Sequence, residues 1–185
     1  MKYVQSMVCT IVLLLVNIVF STVSYAHVMV AQHGSLNIVD NGVFMVISLP
    51  VSAFKNIDND NDGKLSAEEF TQHRSRIAST VHEKIILTDL NGKAALQGMM
   101  LAPVTSHNAP QAPASQLIIM GRYTIVSPNS ELQYEVDLFG TIPSEKIIEV
   151  TVTNRQHNNK QIIKLSPKKT TASLFQSELL TLVKK

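Results

Sequence analysis

Short apolar runs, each closed by a turn signal, fill most of the sequence after residue 26 and limit the folds that the chain can adopt. Asn41-Gly42 and Asn91-Gly92 each lie between two such runs, and both residue types tolerate the positive φ of a tight hairpin turn. Runs rich in β-branched and aromatic residues, separated by regular turns, are typical of two packed sheets. The pattern therefore predicts a mainly β fold of the β-sandwich type.

Most of the predicted strands pair as hairpins about these turns. The segment 127–130 is expected to join Gln116–Val126 to Glu131–Phe139, and the segment 154–159 is expected to join Glu145–Thr153 to Lys160–Leu165. Three of the seven prolines lie between residues 103 and 115, which predicts a linking loop there. The other expected strands are His27–Gln32, Ser35–Val39, Val43–Leu49, Lys84–Leu90, Lys93–Leu101 and the first part of Thr170–Val183.

A helix-loop-helix is predicted at about residues 51–83, where the β pattern is interrupted. Pro50 ends the preceding strand and suits the first turn of a short helix over Val51–Ile57. Ser66 and Glu69 have the spacing of a capping box, and the apolar residues that follow recur at helical intervals. We therefore expect a second helix from Ser66 to about Glu83.

The first 26 residues have the composition of a secretory signal peptide. Lys2 precedes an apolar run from Met7 to Phe20, and Ser24 and Ala26 form the small-x-small pattern of a cleavage site. The run is short for a membrane span, which needs about 20 residues, although an uncleaved anchor is the alternative. We expect residues 27–185 to form one β-rich domain, periplasmic or secreted.

The composition excludes several classes of protein. Hydrophobic residues make up 45% of the chain and charged residues 16%, which is enough apolar material for a core and too little charge for a disordered chain. The net charge of +2 gives no nucleic-acid-binding surface. The single cysteine, Cys9, lies in the signal segment. The mature domain must therefore be held by its core, aided by a metal, and not by disulfides.

The loop between the two expected helices, Asp58–Glu69, reads DNDNDGKLSAEE and supplies oxygen atoms at alternate positions. Calcium prefers six to eight oxygen ligands, and this spacing winds them around one ion. Gly63 permits a sharp turn, and Leu65 is an apolar anchor for the centre of the loop. The predicted ligands are the side chains of Asp58, Asp60 and Asp62, the carbonyl of Lys64, Ser66 through a water, and both oxygens of Glu69.

From Pro50 to Val81 the sequence resembles the EF-hand family, which implies Ca²⁺ as the bound cofactor. It differs from that family in its short first helix and in lacking a second loop, because the segment 89–92 has none of the remaining ligands. EF-hand loops usually pair through the residue at the position of Leu65. Leu65 is therefore expected to pack either on its own domain or on another chain.

A second resemblance covers more of the chain. An exported N-terminus that begins with Ala26-His27, an acidic EF-hand loop and a β-rich remainder are together similar to the extracytoplasmic region of HupE/UreJ-type membrane proteins. The segments 154–157 (NRQH) and 165–167 (LSP) add to this likeness. Those proteins continue into several membrane helices that this sequence lacks, so their transport role is not carried over.

Histidines offer an alternative metal site. After cleavage, His27 would carry a free amine beside its imidazole, which is a good copper(II) chelate, with His33 near in sequence. A periplasmic copper- or metal-handling protein is therefore the alternative function. His73 and His82 are nine residues apart on the second helix, so they face opposite sides and are not expected to share a metal.

The sequence contains no recognisable catalytic constellation. Serines lack a nucleophile-elbow context, and no phosphate-binding glycine loop is present. We therefore expect a non-enzymatic protein whose single loop holds a structural calcium ion on an interaction module. A calcium sensor is the rival interpretation, and a protein partner is left open.

Overall fold

The structure, a computed structural model, describes residues 30–105, 109, 112–127 and 131–175. The predicted signal peptide, Cys9, His27 and the chain beyond Phe175 lie outside the described residues, as does half of the predicted first strand, His27–Gln32. Its described half, residues 30–32, is not in a strand, so that prediction is wrong there.

Ten strands and one α-helix make up the regular structure of the described residues, with two short 3-10 turns at Val51–Ala53 and Pro143–Glu145. The helix is α1 (Ala67–Lys84). The strands are β1 (His33–Val39), β2 (Gly42–Pro50), β3 (Ile85–Asp89), β4 (Gly92–Ala94), β5 (Leu96–Val104), β6 (Gln116–Thr124), β7 (Leu132–Val136), β8 (Ile148–Asn154), β9 (Asn159–Leu165) and β10 (Thr171–Leu174).

The strands form two sheets that share one apolar core. The six-stranded sheet has the order β5-β6-β2-β1-β8-β9, and the four-stranded sheet has the order β10-β7-β3-β4. Burial alternates along β8, where Ile148, Val150 and Val152 are buried and the residues between them are partly exposed, as expected for a strand with one face on the core. The prediction of a mainly β, sandwich-like domain is confirmed, and the described residues contain a single α-helix.

Local turns set the hairpins that the sequence predicted. β1 pairs with β2 and β8 pairs with β9, both antiparallel. The first turn is formed by Asp40 and Asn41, one residue earlier than expected, because Val39 is opposite Gly42 and Asp40 has the positive φ of 50°. β1 also pairs with β8 in parallel, a long-range contact that no turn signal indicates.

Two of the predicted hairpins are wrong in part or in whole. The run Lys93–Leu101 divides between sheets, since β4 pairs with β3 whereas β5 pairs with β6. The run Gln116–Val126 does not pair with Glu131–Phe139, because β6 lies between β5 and β2 and β7 lies between β3 and β10. The connection crosses from one sheet to the other, so that the buried tyrosines of β6 and β7 meet across the core at Met45.

Helix α1 agrees with its prediction, but the helix expected before the loop does not form. Val51–Ala53 is a single 3-10 turn, after which Phe54 is extended and Asn56 is left-handed with φ 57°. Phe54 and Ile57 are both buried on this path. Among the described residues, no helix is both long enough and apolar enough to cross a bilayer.

Candidate metal centre in the Asp58–Glu69 loop

The loop turns through two residues with left-handed backbone conformations. Asn61 has φ 60° and Gly63 has φ 79°. Asparagine tolerates this conformation better than most residues, and glycine adopts it without steric cost. No atom lies within 4 Å of the position that a Cβ would take at Gly63, so glycine is required here by its backbone conformation and not by crowding.

Backbone N–H groups of the loop donate to its own carboxylates. The N–H of Gly63 donates to Asp58 Oδ2 at 2.8 Å, and the N–H of Asp62 donates to Asp60 Oδ1 at 3.2 Å. The N–H of Lys64 donates to Asp62 Oδ1 at 2.7 Å. These bonds fix the orientation of the three aspartate side chains relative to the loop backbone.

Three of the four predicted carboxylates converge. Asp58, Asp60 and Glu69 each place one oxygen so that the three oxygens lie within 4.8 Å of one another. Asp62 does not belong to this group and is exposed. The side chain of Lys64 is also exposed, in agreement with the expectation that only its carbonyl faces the loop centre.

Glu69 closes the loop and caps helix α1. Its Oε1 accepts the N–H of Asn59 at 2.7 Å, and its Oε2 accepts both the N–H and the hydroxyl of Ser66 at 2.8 Å. The Ser66 hydroxyl in turn accepts the N–H of Glu69, which completes the capping box. The N–H of Ser66, followed by that of Asn59, lowers the pKa of Glu69 to about 2. Glu69 is therefore fully ionised at neutral pH although only 7% of its surface is exposed.

Within the described residues, no salt bridge reaches the converged carboxylates. Asp58 Oδ1 is buried and has no hydrogen-bond partner among the described residues, and such an orphaned charged oxygen is costly. The N–H of Asp62 lowers the pKa of Asp60, but desolvation and the nearby carboxylates outweigh this effect and leave the pKa raised above its usual 3.8. A cation bound between these oxygens would remove both penalties. The residues present therefore fit a hard divalent ion.

Leu65 is anchored on its own domain. Its N–H donates to the carbonyl of Ala114 and its carbonyl accepts the N–H of Ala114, both at 2.8 Å, in an isolated antiparallel bridge. Leu65 is 2% exposed and Ala114 is fully buried. The backbone pairing that a second EF-hand loop would provide thus comes from the segment just before β6. The sequence left open whether Leu65 packs on its own domain or on another chain, and no sequence signal indicated Ala114.

The sequence did not predict a polar contact between the loop and helix α1. Asn59 donates through Nδ2 to Gln72 Oε1 at 3.0 Å, and its Oδ1 lies 2.9 Å from His73 Nε2. His73 is half-buried, whereas His82 is exposed. The spacing Asn59, Gln72 and His73 carries no known motif, so no sequence signal could have found this contact.

The alternative histidine site is not described by the structure. His27 lies outside the described residues, and His33 is exposed with its Nδ1 2.8 Å from the Ala31 carbonyl. A scan against protein-family models and a search of the curated proteins gave no significant match to this chain. The functional argument consequently depends on the geometry of the Asp58–Glu69 loop.

Proposed function

We propose that this chain is an exported calcium-binding protein whose single EF-hand loop holds one structural Ca²⁺ ion on a β-sandwich interaction module. The observation that carries this proposal is the convergence of three carboxylates, one with an orphaned buried oxygen, in a loop of EF-hand spacing. All of the candidate donors are oxygen atoms, which suits calcium. Export is supported by the composition of the first 26 residues.

The proposed ligands are those that the loop pattern predicts. Bound calcium would supply a positive charge for the converged carboxylates and would tie the segment before the loop to helix α1. Asp62 lies outside the converged group, and we propose that it joins the ligands when the ion is present. The full set is Asp58, Asp60, Asp62, the carbonyl of Lys64, Ser66 through a water, and Glu69.

Two features favour a structural role over a sensor. A sensor EF-hand responds to calcium by opening the angle between two helices, but here the segment before the loop is only a 3-10 turn followed by extended and left-handed residues. The loop centre is also fastened to the sandwich through Leu65 and Ala114. The ion would therefore stabilise an existing arrangement, and we propose a non-enzymatic role for the domain that carries it.

The expected stabilisation is modest. Extracellular calcium modules bind with dissociation constants of about 10⁻⁴–10⁻³ M. At about 1 mM calcium and a dissociation constant of about 10⁻⁴ M, linkage adds roughly 1.4 kcal/mol to the free energy of unfolding. This is a measurable fraction of the stability of a small domain.

The melting temperature of the purified protein, recorded in EGTA and in millimolar CaCl₂, tests the proposal. Calcium should raise the Tm of the wild type and of Glu68→Gln, which removes an exposed acid next to the loop. Calcium should leave the Tm of Asp60→Asn unchanged, because that variant removes the negative charge of one of the three converged carboxylates. A wild type with no calcium-dependent shift, or an Asp60→Asn variant with the full shift, would contradict calcium binding at this loop.

A further inference from the structure

A cleft of about 530 Å³ lies along one side of helix α1, apart from the carboxylates of the calcium loop. Its other walls are the segment 53–56, which leads into the loop, and the segment 137–140, which follows β7. This volume falls within the range of small-molecule sites, which is about 300–1,000 Å³.

The helix presents one continuous stripe to the cleft. Arg76, Thr80, Glu83 and Lys84 all line it, and their spacing of four, seven and eight residues places them on one helical face. Thr80 is committed to the helix backbone, since its hydroxyl donates to the Arg76 carbonyl at 2.9 Å. The ionic character of the stripe therefore comes from Arg76 at one end and from Glu83 and Lys84 at the other.

The Arg76 end of the cleft is cationic. Neither Arg76 nor Lys55 forms a salt bridge within the part of the chain that the structure describes. The guanidinium Nη1 of Arg76 donates to the Asn56 carbonyl at 3.2 Å, and the left-handed Asn56 sits at the bend of this segment. This bond ties the arginine to the cleft wall while leaving further N–H donors of the planar fork for a ligand.

The opposite end of the cleft holds one lysine and two carboxylates, which gives it a net charge of about −1. Lys84 Nζ lies 2.9 Å from Asp137 Oδ2 and 3.7 Å from Glu83 Oε1. The hydrogen bond to Asp137, followed by the charge of that carboxylate, raises the pKa of Lys84. Both acids are thus engaged by one lysine, and the unpaired positive charge of the cleft is concentrated at Arg76 and Lys55.

The wall that faces the helix is apolar. Leu138, Phe139 and Pro167 line it, with Leu138 buried and Phe139 packed against the core. Such a surface can take the hydrocarbon or aromatic part of a ligand out of water, at about 25 cal/mol per Å² of buried apolar area. A cationic fork at one end and an apolar wall beside it favour a ligand that has both characters.

We propose that this cleft binds a small organic carboxylate with an apolar body. The carboxylate accepts from the Arg76 guanidinium, assisted by the Lys55 ammonium, and the apolar body lies against Phe139 and Leu138. Arginine suits this role because its planar donors match the two oxygens of a carboxylate. The site shares no residue with the proposed calcium ligands and stands whether or not the loop holds an ion.

Titration of the purified protein with 3-phenylpropionate, followed by amide NMR, tests this site. Saturable shifts are expected for residues 53–56, 76–84 and 137–140, and 3-phenylpropylamine, which has the same apolar body and the opposite charge, should bind at least about tenfold more weakly. Absence of saturable shifts at these residues, or equal binding of the amine, would overturn the proposal.

Matched arginine variants separate the cleft from a general charge effect. Arg76→Gln should weaken 3-phenylpropionate binding about tenfold or more, and Arg76→Lys should weaken it by a smaller factor because the charge remains without the fork. Arg74→Gln removes an equal charge from the same helix outside the cleft and should change the affinity less than about twofold. Equal effects of Arg74→Gln and Arg76→Gln, in variants whose Tm matches the wild type, would also overturn it.

Discussion

Leu65 and Ala114 are joined by two backbone hydrogen bonds of 2.8 Å, which fasten the centre of an acidic loop to the segment that precedes β6. The first residue of the 3-10 turn is tied to the same segment, since the N–H of Val51 donates to the Ser115 carbonyl at 3.0 Å. The loop centre and the turn that leads towards the loop are therefore both attached to the residues just before β6.

Leu65→Ala should destabilise the domain and weaken calcium binding together. Leu65 is 2% exposed, and removal of a buried leucine side chain costs about 2–5 kcal/mol. Leu90→Ala is the control, because Leu90 is 73% exposed and should change the free energy of unfolding by less than about 0.5 kcal/mol. Urea denaturation measures the free energy of unfolding of both variants. A Leu65→Ala variant as stable as Leu90→Ala would contradict the anchoring role of Leu65.

Ser66→Ala should lower stability even without calcium. The Ser66 hydroxyl is the N-cap of helix α1 and accepts the N–H of Glu69, and loss of such a cap costs about 0.5–2 kcal/mol. Denaturation in EGTA isolates this cost from any effect on the ion. Ser79→Ala, on the exposed middle of the same helix, should not be destabilising, and an equal loss in both variants would argue against the capping box.

Asp58→Asn should lower the Tm in the presence of calcium but not in its absence. In EGTA, the variant removes a carboxylate whose Oδ1 is buried without a partner and which faces other carboxylates. Its Tm in EGTA should therefore equal or exceed that of the wild type, because like-charge repulsion falls. In millimolar calcium it should melt below the wild type. A variant that is less stable than the wild type by the same amount in both conditions would indicate a purely structural Asp58.

The two buried tyrosines of the core should differ in what their hydroxyls contribute. Tyr123 donates to the Ile85 carbonyl at 3.1 Å, whereas the Tyr134 hydroxyl contacts the thioether of Met45 at 3.3 Å. Burial raises the pKa of both, so both are neutral donors. Tyr123→Phe should cost about 1 kcal/mol and Tyr134→Phe less than about 0.5 kcal/mol. Equal losses in denaturant titrations would contradict this assignment.

The features that could be predicted from the sequence are those with local causes. The start of α1 follows from Ser66 and Glu69, and the hairpins β1–β2 and β8–β9 follow from turns of two and four residues. The parallel pairing of β1 with β8 and the crossing from β6 to β7 are long-range packing choices with no local signal. The missing first helix reflects tertiary packing, which buries Phe54 and overrides the tolerance of Pro50 for a helix start.

The candidate site likewise has features with local causes, which the sequence predicts, and long-range contacts, which it does not. Carboxylate spacing predicted the convergence of Asp58, Asp60 and Glu69, because one short loop supplies all three. The partner of Leu65 lies about fifty residues away in sequence, in a proline-rich segment without strand character. The contact of Asn59 with His73 likewise depends on how the loop folds back on the helix.

Isothermal titration of the purified protein with CaCl₂ tests the central claim most directly, with MgCl₂ as the competing ion. We predict that the loop binds one calcium ion per chain with a dissociation constant of about 10⁻⁴–10⁻³ M or tighter, and that it binds magnesium more weakly. We also predict that the binding is lost in Asp60→Asn and retained in Glu68→Gln. Calcium binding at this loop would be contradicted if the wild type took up no calcium at millimolar concentration, or if Asp60→Asn bound calcium as well as the wild type.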